Sequence, residues 1–275
     1  MNQIFRQVKL SAFYHDKALE TYKNFLASVI IPKNASIMDI GCGSGRITSK
    51  FLHQMIPAHY KELVGIDIDH SNIEYCKTLK VDPRISFEQM DIDTKELPVK
   101  FRNRFDILFS SYCFMYARTR QWISNSYDLL KPNGELIYLF KYNINPLYSA
   151  YREMSRKAEW KPYINDFADF VPIYSGDNRN IELKNDFHKS GLILISHEFL
   201  PDIAFRTNKI EVLELLGAMN RVTYRIPADK KEKFIQAVQQ TISDITNIDF
   251  MDKKKLHEEI QWKCPTVIIH AKKMI

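Results

Sequence analysis

Across residues 1–140, short apolar runs alternate with stretches whose apolar positions recur at helical spacing. The runs Ser36–Ile40, Leu63–Ile68, Ile85–Met90, Phe105–Ser110 and Gly134–Phe140 predict strands. Between them, Arg46–Met55, Asn72–Leu79 and Thr119–Leu130 predict helices. Ahead of the first strand, Ala18–Ile31 reads as an amphipathic helix closed by Pro32. Strands and helices alternating at this spacing predict a parallel sheet covered on both faces, with right-handed crossovers.

The rhythm changes after about residue 142. Pro146–Trp160 looks helical and aromatic-rich, Ser175–Asn178 reads as a loop, and Leu192–Leu200 resumes as a strand. Helical patterns over Thr207–Met219 and Ala228–Ile245 then precede a last strand at Pro265–Ala271. The expected architecture is α/β, a single domain over residues 1–275 built on a Rossmann-like, seven-stranded, mostly parallel sheet. Insertions over about 143–190 and 201–263 form a helical cap. Ligands of open α/β sheets bind beyond the strands' carboxyl ends, so the cap is the natural substrate lid.

Composition narrows the class. Of the 275 residues 45% are hydrophobic and 26% charged, the balance of a globular chain that needs no disulfide or metal staple. No apolar run approaches the roughly 18 residues of a membrane span, and the N-terminus lacks a signal-peptide core. Cys42, Cys76, Cys113 and Cys264 lie far apart with no zinc-ligand spacing, which predicts reduced thiols, a cytoplasmic location and no metal. The net charge of +6 comes from dispersed residues, the densest run being Lys253–Lys255. It suits an anionic small molecule better than a nucleic acid. Oligomeric state stays open, a homodimer included.

The chemistry-bearing stretch is Asp39-Ile-Gly41-Cys42-Gly43-Ser-Gly45-Arg46-Ile47. A strand runs into three glycines at alternate positions and then into a helix, so the chain can turn tightly and bring backbone N–H groups close to a ligand. A dinucleotide fingerprint would need glycine at position 46, where arginine stands. The G-x-G-x-G spacing preceded by Asp39 resembles motif I of the class I S-adenosylmethionine (SAM) methyltransferases. That resemblance places the glycine loop, with Cys42 and Arg46, beneath the methionine and ribose of SAM. Asp67, ending the second strand beside Ile68, offers two acceptor oxygens to ribose hydroxyls. Asp91 and Ile92, after the third strand, fall where this superfamily reads adenine. Ser110 closes the fourth strand beside the expected methyl.

Asp39–Thr48, Leu63–Asp69, Phe105–Ser110, Asn145–Tyr151 and Lys157–Trp160 together resemble the arthropod juvenile hormone acid methyltransferases. The resemblance implies methylation of the carboxylate of farnesoic acid or juvenile hormone acid, with S-adenosylhomocysteine (SAH) as by-product. That family holds the carboxylate with a glutamine and a tryptophan. Here those positions are Tyr14 and Tyr116. Tyrosine hydroxyls also donate to a carboxylate, and the departure equally admits another acceptor.

A carboxylic acid is already ionised at neutral pH and needs no general base. An amine or phenol acceptor would need one, and His15 is then the first choice, against a plain surface role. A non-catalytic hormone binder built on the same fold is the remaining alternative. Tyr148, Tyr151, Trp160, Tyr163, Phe167 and Phe170 either line an apolar tunnel or pack the cap onto the sheet. Leu213, Leu216 and Met219 pose the same choice, and Trp122 reads as packing.

Overall fold

The computed structural model describes residues 20–23, 25–26, 29–142, 146–164, 166, 173–174, 176–200 and 204–274. Tyr14, His15, Phe167 and Phe170 lie outside them.

Seven strands form the main sheet: β1 (Ser36–Ile40), β2 (Glu62–Asp67), β3 (Ile85–Gln89), β4 (Phe105–Ser111), β5 (Leu130–Lys141), β6 (Leu192–Leu200) and, last in the chain, β9 (Thr266–Lys273). Their spatial order is β3-β2-β1-β4-β5-β9-β6. The first five run parallel, and β9 inserts antiparallel between β5 and β6. Burial on both faces explains the near-continuous apolar runs. Met38, Ile40, Leu136, Tyr138 and Phe140 face one core, while Ile37, Ile137 and Leu139 face the other.

The second core is covered by a π-helical turn, Ile47–Leu52, that leads into α1 (His53–Met55), and by α2 (His70–Lys77). The first is covered by α3 (Gln121–Leu129) and α5 (Arg179–Lys189), which bring Trp122, Leu183 and Phe187 together. Trp122 stacks on Phe114 with ring centroids 4.0 Å apart, a packing role. The sequence pattern did not predict α5. It lies within the first insertion yet packs against the sheet.

α4 (Pro146–Met154), α6 (Lys209–Met219) and α7 (Lys231–Thr246) build a third core of their own. Tyr148, Tyr151, Trp160 and Leu216 are buried in it, so these side chains serve the packing of the cap. A small antiparallel sheet, β7 (Ala204–Asn208) with β8 (Glu259–Lys263), adds Trp262 to that core. Among the described residues no helix is long and apolar enough to cross a membrane.

Candidate cofactor and methyl-transfer site

The carboxyl ends of β1, β2, β3 and β4 meet at one edge, and the predicted cofactor stations follow them. Gly41, Gly43 and Gly45 all adopt left-handed backbone (φ 72°, 53° and 70°), which is why this loop requires glycine. The three differ in what surrounds them. A Cβ on Gly41 would stand 2.4 Å from Cys113 Sγ, and one on Gly45 2.9 Å from Cys76 Sγ. At Gly43 a Cβ meets nothing within 4 Å. The loop is thus clamped at both ends and open at its middle, a cradle a ligand can fill.

Gly41 N–H and Cys42 N–H both donate to Ile66 O (2.8 and 2.9 Å), tying the loop to β2. Asp67 answers from that strand: its Oδ2 accepts from Gly43 N–H at 2.8 Å and its Oδ1 from Asp69 N–H at 2.9 Å. Oδ1 accepts from Asn72 Nδ2 as well, at 3.4 Å, so of the carboxylate's roughly four lone-pair positions the one left open for a hydroxyl is on Oδ2. Ile68, beside it, is 63% exposed, an apolar side chain held out at the rim of the site.

Asp39 lies beneath the loop, fully buried, and its Oδ2 accepts from Thr48 Oγ1 at 2.6 Å. Burial pushes its carboxyl up to about 7 against the lowering pull of that hydrogen bond. The widened π turn carries Thr48, which belongs to the predicted helix but drew no role from its sequence position. Ser44 Oγ is buried with no hydrogen-bond partner among the described residues. Arg46 stands half-buried at the start of the same turn.

Past β3, Asp91 is exposed, and its Oδ1 accepts from Asp93 N–H at 2.8 Å. Ile92 is different: its side chain is buried in the sheet core and its carbonyl accepts from Asn125 Nδ2 at 2.7 Å. Only its backbone N–H is left to face a ligand.

At the end of β4, Ser110 is buried and its hydroxyl donates back to Ile40 O at 2.8 Å, so it braces the strands. The hydroxyl-bearing group sequence reading passed over is Tyr22. It is buried edge-on to Phe109, donates to Ser110 O, and accepts from Ser111 Oγ at 3.1 Å. Burial raises its phenol well above 10, so it remains protonated. Tyr112 follows in left-handed backbone (φ 55°), a strained setting for an aromatic residue of the kind that gathers at functional sites. Tyr116 ends the short turn Phe114–Tyr116 and is 50% exposed. Asp93 fixes the loop behind it by accepting from Arg118 N–H, Thr119 N–H and Thr119 Oγ1.

Cys42 is buried, and its thiol is pushed up first by its hydrogen bond with Cys76 and then by burial. It is no nucleophile. No group of His, Cys, Asp and Glu able to hold a metal ion occurs among the described residues.

The geometry therefore offers a glycine cradle, a carboxylate held by backbone N–H groups and a hydroxyl-lined strand end. Residues 37–134, which carry all of these but Tyr22, match the family described as "Methyltransferase domain". The chain is similar to juvenile hormone acid O-methyltransferase of Drosophila melanogaster, 26% identical over 203 residues that cover 73% of this chain and 68% of that protein. It is similar also to the Bombyx mori protein of the same name, 24% identical over 216 residues, covering 78% and 76%. Among solved structures the YcgJ protein of Bacillus subtilis shares the fold, with a TM-score of 0.60 at 16% identity, covering 95% of this chain and all of that one.

Proposed function

Because this chain is a class I SAM-dependent methyltransferase, we propose that it methylates the carboxylate of an apolar acid of the farnesoic or juvenile hormone acid kind. When bound, SAM supplies an electrophilic methyl group on a positively charged sulfur. The residues present fit it: the open Gly43 would lie under the chain of the cofactor, and Asp67 Oδ2 would accept from a ribose hydroxyl on its remaining lone pair. Ile68 offers an apolar face to the adenine, and Asp91 an acceptor to its amino group.

The observation that carries the acceptor reading is the end of β4. Tyr22, Ser110, Ser111 and Tyr116 bring hydroxyls there, and the two groups with raised pKa values, Tyr22 and Cys113, stay protonated. A strand end where no described residue is placed as a base suits an acceptor that is already an anion. What remains for the protein is to hold a carboxylate oxygen in line with the methyl carbon, a positioning effect worth up to about 7–11 kcal/mol. Tyr116, half-exposed on its anchored turn, donates to the carboxylate, and Tyr14 is its proposed partner from the N-terminal segment. The resemblance of most of the chain to two juvenile hormone acid O-methyltransferases supports the same acceptor class.

Transfer from labelled SAM to farnesoic acid, juvenile hormone acid and a short series of fatty acids tests this. Extractable labelled ester is expected, with no collapse of kcat below neutral pH, because a carboxylate acceptor needs no general base. SAM binding without ester, together with transfer to amines or phenols that collapses below neutral pH, would overturn it.

A further inference from the structure

Away from the glycine loop, the cap helices α4, α6 and α7 line a cavity of about 220 Å³ that opens to solvent past the exposed Gly217, Tyr224, Lys231 and Ile235. None of its lining residues belongs to the loop or to the ends of β1 to β4. Leu147, Leu216, Val238 and Ile242 make most of its wall apolar. Apolar cavities of about 150 Å³ already admit benzene.

Two polar groups interrupt that wall. Asn220 is only 7% exposed, and its Oδ1 accepts both the Tyr151 hydroxyl and, at 3.2 Å, Thr223 N–H. Its Nδ2 is left with no hydrogen-bond partner among the described residues, on a side chain that lines the cavity. Lys231, first residue of α7, stands exposed at the mouth and forms no ion pair among the described residues. Among the described residues no Asp or Glu lines the cavity. An amide donor with unmet capacity on a largely buried side chain and an exposed cation, in an apolar wall without acids among the described residues, complement a carboxylate on an apolar tail.

Gly217, exposed at the rim, leaves the mouth of the cavity open. It sits inside α6, where glycine costs about 1 kcal/mol relative to alanine, and it is not in left-handed backbone. A Cβ there meets nothing within 4 Å. Helix formation alone would favour a larger residue, and the cavity would then be reduced.

We propose that this cavity is a second small-molecule site, separate from the methyl-transfer site, which takes a carboxylate-headed amphiphile of the medium-chain fatty acid class. The tail lies against Leu147, Leu216, Val238 and Ile242, and the carboxylate accepts from Asn220 Nδ2 and meets Lys231. The site needs no assumption about which acceptor is methylated.

Calorimetric titration of the full chain, saturated with SAH, with decanoic acid tests the site. Saturable binding is expected, and no heat up to about 1 mM overturns the proposal. Gly217→Leu fills the space without straining the backbone. It should weaken decanoate by about tenfold or more, leave SAH affinity unchanged and hold or raise Tm. Wild-type decanoate affinity in that variant overturns the proposal. Asn220→Asp keeps an oxygen for Tyr151 and Thr223 while removing the donor. It should cost decanoate about tenfold and the neutral probe 1-decanol much less, and equal losses overturn the carboxylate assignment. Methyl transfer to the best acceptor should stay within about twofold in Gly217→Leu. A fall in step with decanoate binding would make the cavity the acceptor's own seat and overturn its separateness.

Discussion

The cofactor half and the cap solve opposite problems. In the first, β1, β2 and β4 are buried on both faces, and the glycine loop is held by backbone, by the Asp67 carboxylate and by Ser49 Oγ and Cys76 Sγ. Gly41 and Gly45 are so closely approached that a single carbon will not fit. The cap has its own apolar core, an open cavity beside it and an exposed helical glycine at that cavity's rim. Where chemistry demands one geometry, packing leaves no slack, and where a ligand's shape is the variable, slack is retained. The comparison teaches that the strand ends are built for one fixed geometry while the cap keeps open space, which on the proposed reading leaves the reaction to the former and a second ligand to the latter.

The largest effect expected is at Gly41. Gly41→Ala adds a left-handed penalty to a clash with Cys113, together several kcal/mol, and should lower SAM affinity by more than about 100-fold by calorimetry. Near-normal binding would mean the loop is not sterically fixed. Next comes Trp160→Ala, which removes a large buried ring from the cap and should cost about 3–5 kcal/mol there. Hydrogen exchange should rise across α4 and α7 while SAM affinity stays within about threefold. A uniform rise across the sheet would dissolve the distinction between the halves.

Asp39 sharpens the contrast through pH. Its folded-state value of about 7 lies above its ordinary 3.8, so the folded chain holds that proton more tightly than the unfolded one. Its contribution to stability therefore falls as pH rises through that window and stays lost above it, by roughly 2–4 kcal/mol. Asp39→Asn cannot ionise, so urea denaturation of the unliganded protein should show a smaller stability drop from pH 5 to 8 than wild type. An identical drop places the titrating group elsewhere. The smallest effect is Asp67→Asn, which turns one acceptor into a donor facing a backbone N–H, about 2 kcal/mol or some thirtyfold in SAM affinity with little change in Tm.

Legibility followed the same division. Gly41, Gly43 and Gly45 could be read because left-handed backbone restricts the residue type, β1, β2 and β4 because double burial writes near-unbroken apolar runs, and β3 from the alternation of buried Ile85 and Phe87 with more exposed polar residues. β5 starts at Leu130, ahead of the expected Gly134, because Pro132, Asn133 and Gly134 look like a turn while Leu130 already pairs with Phe105 across a bulge. The helix Arg179–Lys189 buries only Leu183 and Phe187, too thin a stripe to announce itself. β7 and β8 mix Arg206, Glu259 and Lys263 into five-residue strands, so their alternation is weak. Tyr22 reads as one more apolar position beside Phe25 and Leu26; that its hydroxyl meets Ser110 and Ser111 is decided by residues nearly ninety positions away. Ile92 and Ser110 were legible as strand-end residues, but their side chains turn inward.

The placement of β9 bears on how the chain reaches this state. β9 pairs with β5 and with β6, yet the whole second insertion separates it from β6 in sequence. Until β9 docks, β6 has no partner in the main sheet, and docking closes a loop that contains α6 and α7. Loop-closure entropy grows only slowly with length, so an extended cap adds little to the equilibrium cost. The kinetic burden is larger, because distant pairings of this kind slow folding and leave an unpaired strand edge exposed meanwhile. During refolding, a cap that has already gathered around its own core shortens the effective span of that loop and hastens the arrival of the last strand.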